Sequence, residues 1–281
     1  MGRSCGRLGV LVVLHLVTEK NRSLYERELE DLARTRKAVF VDELGWQLNV
    51  TPDGREYDQY DDEKAIYGIG FDMRGRVSMA GRYRPTTDHS MLVDVFPNAV
   101  ADGVDGLNDE KTWEFSRGFC LETGGKPHNQ RRRAMLMLTP LEVALAHGVT
   151  SYIAFSEVRL LPLFMNMGWR VTLLGDPVSY GEGEGVAYRV EVSEDAVREM
   201  REAYGLPSPA HICLDVIPGD TRTVHERALE IAEMSPAYAG LMPQMGDKPY
   251  KPRPLARGVD ASRLRRRAAA WARQNQHVAN G

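Results

Sequence analysis

Trp113-Glu114-Phe115-Ser116-Arg117-Gly118-Phe119-Cys120-Leu121 decides how the chain is read. The run is rich in aromatics and reads as a β-strand. Glu114 lies between Trp113 and Phe115, so partial desolvation would raise its pKa and make it a candidate general base. Successive side chains on a regular strand alternate between faces, which places Glu114 and Arg117 on opposite sides. If the two are to cooperate, the strand must bulge, and Gly118 is well placed to permit it.

Working outward, the upstream segments carry charge where core is expected. Residues 22–41 read as a helix, with Tyr25, Leu29, Leu32, Ala33 and Phe40 on one apolar stripe. Arg36 falls on that same stripe. Residues 47–63 carry Pro52 and Gly54 and read as a loop holding the acidic group Glu56, Asp58 and Asp61. Ile66 to Asp72 and Val77 to Arg84 alternate around Arg74-Gly75 as a β-hairpin. In its second strand Arg82 and Arg84 share one face, and Val77, Met79 and Tyr83 the other. Buried charge must pair or do chemistry. Arg36 taken alone would be a snorkelling arginine at the core edge, and the acidic group downstream favours pairing instead.

Downstream, residues 122–130 read as a loop running into Arg131-Arg132-Arg133. A helix follows, interrupted or restarted at Thr139-Pro140, with Thr139 as N-cap, Glu142 as its reciprocal partner and Gly148 as the stop. Tyr152 to Phe155, Trp169 to Leu174 and Val186 to Val192 read as strands. Between the first two lies a short helix ending near Gly168, and after the last comes a helix capped by Ser193 and stopped by Gly205. The order predicts an α/β fold around a mixed sheet.

Arg36, Phe40, Trp46, Asp58, Asp61, Arg82, Phe96, Glu114 and Arg117, taken in order, resemble the signature of the acyl-homoserine-lactone synthases, over roughly residues 14–205. The resemblance implies a GNAT-like three-layer sandwich, a mixed β-sheet flanked by helices with a splayed or bulged central strand. It implies acyl transfer from a thioester to the amine of S-adenosylmethionine, followed by lactonisation and release of methylthioadenosine. Glu114, Arg117, Asp58, Asp61 and Arg82 would then be catalytic, and Arg36, Phe40, Trp46 and Phe96 would frame S-adenosylmethionine, a substrate and not a cofactor. Met135, Met137, Ile153, Leu163, Phe164, Met165 and Met167 are candidates for the acyl pocket, although methionine-rich stretches are often plain core. Tyr152-Ile153-Ala154-Phe155 offers no threonine near position 153, which favours an unsubstituted acyl chain. Gln130 is followed by arginines and not glycines, so Arg131, Arg132 and Arg133 suit the acidic surface of acyl carrier protein. Coenzyme A thioesters are the alternative donor. An acyltransferase acting on another amine, and an inactive homologue kept for binding, are the rival readings.

A net charge of -3 argues against nucleic acid as main partner. Cys5, Cys120 and Cys213, odd in number and far apart, form no disulfide framework or metal spacing, so no metal is expected and a cytoplasmic location is. The apolar run Gly9 to Leu14 is too short to span a membrane. It reads as the lead into a first strand, Val12 to Val17, with residues 1–13 an N-terminal extension and Val13 a candidate alternative start. Residues 206–281 read as a C-terminal extension: a capped helix from Thr223 to Glu233, a proline- and glycine-rich stretch, and a basic, solvated end around Arg263 to Arg267.

Overall fold

A computed structural model describes residues 13–181, 183–236 and 238. The expectations for residues 1–12 and for the basic C-terminal end therefore lie outside the described residues. The first strand, β1 (Leu14–Val17), is fully buried. A 3-10 turn over Glu19–Tyr25 leads into α1 (Glu26–Arg36), and a π-helical segment, Lys37–Glu43, completes the helix expected over 22–41. The hairpin forms as read. β2 (Ile66–Phe71) pairs antiparallel with β3 (Val77–Pro85), and Gly75 takes the turn position at φ 70°. A short helix, α2 (Met91–Val95), precedes β4 (Thr112–Cys120).

The second half holds α3 (Lys126–Ala146), β5 (Ser151–Glu157), α4 (Leu161–Asn166), β6 (Val171–Leu173), β7 (Val178–Tyr180), β8 (Gly183–Glu191), α5 (Glu194–Tyr204), β9 (His211–Ile212) and α6 (Val224–Met234). The expected break at Thr139-Pro140 does not occur, and α3 runs straight through Pro140. Met135 to Leu141 are buried without exception, and that burial outweighs the roughly 3 kcal/mol disfavouring an interior proline. Glu142 accordingly does not cap a helix. Its carboxylate accepts from Arg201, the Ala210 amide and His211. Ser193 and Gly205 act as expected, the Ser193 hydroxyl accepting from the Ala196 amide and Gly205 sitting at φ 57°.

The strands form one mixed sheet in the order β6-β8-β5-β4-β3-β2-β1-β9, with β7 also on β8. Pairing is antiparallel except for β4 with β5 and β1 with β9. Arg82, Arg84, Glu114, Ser116 and Ile153 share one face by register, the face of α1 and α2. Tyr83, Trp113, Phe115 and Tyr152 take the other, covered by α3 with α5 packed against it. The result is a sheet between two helical layers.

Two irregularities shape the centre. β4 and β5 pair only from Thr112–Glu114 against Ser151–Ile153. Beyond that point β5 stays with β8 and β4 with β3, so the two central strands part directly after Glu114. The expected bulge lies between Ser116 and Phe119, where β4 has one residue more than β3. Its left-handed residue, however, is Arg117 at φ 53°, and not Gly118. Gly118 is needed for contact: a Cβ there would sit 2.8 Å from the Phe115 ring, which also rides over Gly81.

The stretch beyond 205 makes its first contacts with the sheet and its core. β9 extends the sheet beside β1, and Val224, Ala228 and Ala232 of α6 enter the main core. Among the described residues no helix is long and apolar enough to cross a membrane.

Candidate active site

Arg36 ends α1 and is almost fully buried, as are Arg82 and Glu56. Isolated, each would cost several kcal/mol to desolvate. They are not isolated. Arg36 Nε donates to Glu56 at 2.5 Å, and its two terminal nitrogens form a fork on Asp61 at 2.7 and 2.9 Å. Arg82 reaches Asp61 at 2.9 Å and Asp58 at 2.5 Å. Arg117 reaches Asp58 at 2.8 Å and returns to Glu56 at 3.1 Å. The six groups close into a ring of alternating charge, Arg36-Glu56-Arg117-Asp58-Arg82-Asp61, whose formal charges cancel. The left-handed turn at Arg117 is what swings this side chain onto the Arg82 face, at a cost of about 1–2 kcal/mol.

Neighbours hold the ring in place. Ser116 accepts from Arg82 Nε at 3.0 Å, and the Tyr67 hydroxyl donates to Asp61 at 2.8 Å. The Glu56 amide donates to the Ala33 carbonyl, pinning the acidic loop to α1. Tyr60 lies under the Arg82 guanidinium, and burial together with its hydrogen bond to Asp94 pushes the phenol up to about 12. Burial alone would raise Asp61, but Arg82 and Arg36 more than reverse it and hold the carboxyl below the usual range.

Glu114 stands beside the ring, buried, where β4 and β5 part. Its two oxygens accept from the Met91 and Leu92 amides at 2.9 and 2.7 Å, at the start of α2. Burial raises its pKa, and the two amides and Arg82 only partly offset the rise. Glu114 and Arg117 thus share a face without pairing with each other. Arg117 pairs instead with Glu56 and Asp58.

A half-buried aromatic wall runs beside this group. Phe40 stacks on Trp46 (centroids 5.0 Å apart), Trp46 meets Tyr180 edge-on, and Phe96 stacks on Phe155 at 3.9 Å. Tyr180 also meets Phe96 and Phe155 edge-on and so joins the two stacks. Arg117 lies over the Phe40 ring.

The acyl-pocket candidates do not stay together. Met135, Met137 and Met167 are buried in the main core with Phe164 against it, near Trp169, whose indole donates to the Met137 carbonyl. Ile153 lies on the other face, with Leu92, Ala99, Leu174 and Ala187. Leu163 is exposed. Among the basic candidates, Arg132 is corrected from surface to interior. It is 1 % exposed and bonds the Leu121 carbonyl, Thr123 and Ser78. Arg131 donates to the Gly205 carbonyl and Arg133 to Glu122. α3 begins at Lys126, a turn earlier than expected, and this rotates Arg132 inward.

Glu56 was legible as part of the acidic group but received no role of its own. Ser116, Tyr60, Tyr67, Phe155 and Tyr180 carried no signal beyond ordinary strand or loop composition. Asp62, Asp88 and His89 bring ligand-type atoms within 4.8 Å of one another. Arg84 already bonds all three, so a guanidinium supplies the cation there.

A family model described as autoinducer synthase matches residues 20–200. The chain belongs to the autoinducer synthase family. An isovaleryl-homoserine lactone synthase of Bradyrhizobium diazoefficiens is 34% identical over 200 residues, 70% of this chain and 87% of that relative. An acyl-homoserine-lactone synthase of Rhizobium etli is 31% identical over 165 residues, 58% of this chain and 76% of the relative. Among solved structures, the coenzyme A-dependent acyl-homoserine lactone synthase BjaI, with MTA, superposes at a TM-score of 0.63. It is 31% identical, covering 73% of this chain and 94% of BjaI. BjaI has also been solved with SAM and isopentyl-CoA, at the same TM-score, identity and coverage. This autoinducer synthase is therefore an acyltransferase, and its function is that of an acyl-homoserine-lactone synthase.

Proposed function

We propose that the enzyme joins an acyl thioester to the amine of S-adenosylmethionine and releases the product as an N-acyl homoserine lactone. The observation that carries this is the neutral ring with Glu114 beside it at the parting of the strands. Counting Glu114, the group holds three arginines and four carboxylates and is formally one negative charge in excess. S-adenosylmethionine carries a sulfonium, an ammonium and a carboxylate, one positive charge in excess, so the charges match. Arg117 Nη1 touches only the Met91 sulfur among its described contacts, at 3.6 Å, and is the nitrogen best placed to take the substrate carboxylate. The aromatic wall suits the adenine and the sulfonium.

Glu114 takes a proton from the substrate ammonium, directly or through one water. Its raised pKa brings it nearer the amine it must deprotonate. The amine attacks the thioester carbonyl, and backbone amides of the parted strands line the place where the oxyanion forms. The C–S bond breaks and the thiolate leaves as a thiol. The methionyl carboxylate then attacks its own γ-carbon, breaking the bond to the sulfonium and expelling methylthioadenosine. Deprotonation and orientation are the two demands that this constellation meets.

The acyl donor is a coenzyme A thioester. BjaI is described as coenzyme A-dependent, and burial of Arg132 removes the middle of the basic run expected to face an acyl carrier protein. Acyl carrier protein is the second donor reading, favoured by the remaining Arg131 and Arg133. The test is a pair of measurements on Glu114→Gln. Turnover is expected to fall at least about a hundredfold, well beyond the weakening of S-adenosylmethionine binding by calorimetry that loss of the one excess site charge brings. Full turnover in that variant would remove Glu114 from the mechanism. Comparing kcat/KM for matched coenzyme A and acyl carrier protein thioesters decides the donor.

A further inference from the structure

The geometry points to Arg84 as a positioning residue that sets the two amides holding Glu114; this rests on the reading of Glu114 as the base. Arg84 follows Arg82 by two residues on β3, lies on the same face, and is 1 % exposed. It belongs to no part of the alternating ring. Its guanidinium forms eight hydrogen bonds, a dense set even for five donors. Nε and Nη2 grip Asp62, with Nη2 at 2.6 Å. Nη1 holds the Pro85 carbonyl at 3.0 Å and the His89 carbonyl at 2.7 Å, and both terminal nitrogens reach Asp88.

These partners are the segments that set the active site from outside. The turn 85–89 wraps around the guanidinium and hands directly to Ser90, whose hydroxyl accepts from the Val93 amide. Met91 and Leu92, the next two residues, donate to Glu114. Asp62 immediately follows Asp61 of the ring. Asp88 is held below the usual carboxylate range by its bonds to Arg84. One buried fork thus fixes the approach to α2 on one side and the acidic loop on the other. A helix of five residues has too few internal bonds to hold its own start, so the α2 amides stay on Glu114 because the turn before them is clamped.

Loosening the clamp lets the amides drift from Glu114. A carboxylate that loses backbone donors is harder to ionise. The remaining charged and titratable groups facing Glu114, namely Arg82, Asp58 and Tyr60, stay in place. Arg84→Lys keeps the charge but loses the planar fork. Asp88→Asn weakens the clamp from its partly exposed side and leaves the interior intact.

The experiment is the pH dependence of kcat/KM for wild type, Glu114→Gln, Arg84→Lys and Asp88→Asn. Wild type is expected to lose activity on the acid side through one ionisation, and the residual rate of Glu114→Gln to lack that limb. In Arg84→Lys the limb moves up by about one pH unit, with a smaller shift in the same direction for Asp88→Asn. Well above the limb all three ionisable enzymes converge in kcat/KM. A limb that stays in place in both clamp variants, with the Glu114 dependence present, overturns the role of Arg84 alone. A limb that persists in Glu114→Gln overturns the base reading and the Arg84 inference with it. If Arg84→Lys does not fold, the direction of the Asp88→Asn shift decides the matter.

Discussion

Removing the charge of Glu56 tests the ring most severely. Its carboxylate is fully buried and bridges Arg36 at 2.5 Å and Arg117 at 3.1 Å. In Glu56→Gln the ring carries one uncompensated positive charge in a dry environment. Breaking a buried pair from one side costs about 3–5 kcal/mol. The amide oxygen still accepts one bond from Arg36, so the lower end applies, about 3 kcal/mol. For a domain of this size each kcal/mol lowers Tm by about 2–4 °C, giving a drop of about 6–12 °C. Thermal unfolding followed by circular dichroism at pH 7.5 reads it. The double variant Glu56→Gln with Arg117→Met removes one charge of each sign and restores neutrality. Its loss should therefore be clearly smaller than the sum of the two single losses. A Tm for Glu56→Gln within about 2 °C of wild type, or strict additivity in the cycle, would refute the closed ring as a cooperative unit.

The remaining expectations concern three buried groups. Glu114 has its pKa raised above the ordinary 4.5 by burial, so its ionised form costs stability, and wild type gains as pH falls through the folded-state value towards 4.5. Glu114→Gln should accordingly match or exceed the wild-type Tm at pH 8 while losing turnover, and the advantage should vanish by about pH 4.5; a destabilised variant at pH 8 would contradict this. His15 is held neutral by burial and by His225, its pKa lowered from 6.5 to about 3. The unfolded chain takes up this proton first, so stability drains as pH falls from 6.5 towards about 3. His15→Phe should flatten Tm against pH in that window, and an unchanged slope would count against it. Arg132→Met loses bonds to the Leu121 carbonyl, Thr123 and Ser78. It should lower Tm by about 6–12 °C with KM for the thioester unchanged; a raised KM in a stable variant would return Arg132 to the donor surface.

Much of this arrangement is legible in the sequence. The alternation of β3 placed Arg82 and Arg84 together because period two is the strand's own geometry. The incompatibility of Glu114 with Arg117 on a regular strand called for the bulge that β4 has. The strain falls on Arg117 and not on the glycine, because Gly118 is occupied by the close approach of Phe115, a tertiary contact that no local rule encodes. The bridging role of Glu56 is not legible in the sequence, since which of three neighbouring carboxylates bridges two arginines depends on loop geometry. The structure departs from the expected break at Pro140 and exposure of Arg132 for one reason: burial, and not local propensity, sets the ends and phase of α3. β7 and β9 are three and two residues long and exist through pairing to longer strands, which sequence pattern does not show.

The most direct test is mass spectrometry of the products formed by the purified full chain. It would receive S-adenosylmethionine and a panel of coenzyme A and acyl carrier protein thioesters, short branched acyl groups included. The expected result is an N-acyl homoserine lactone together with an equal amount of methylthioadenosine, strongest with a coenzyme A thioester. An acylated amine formed without methylthioadenosine, or no acylated product from any donor, would contradict the assignment.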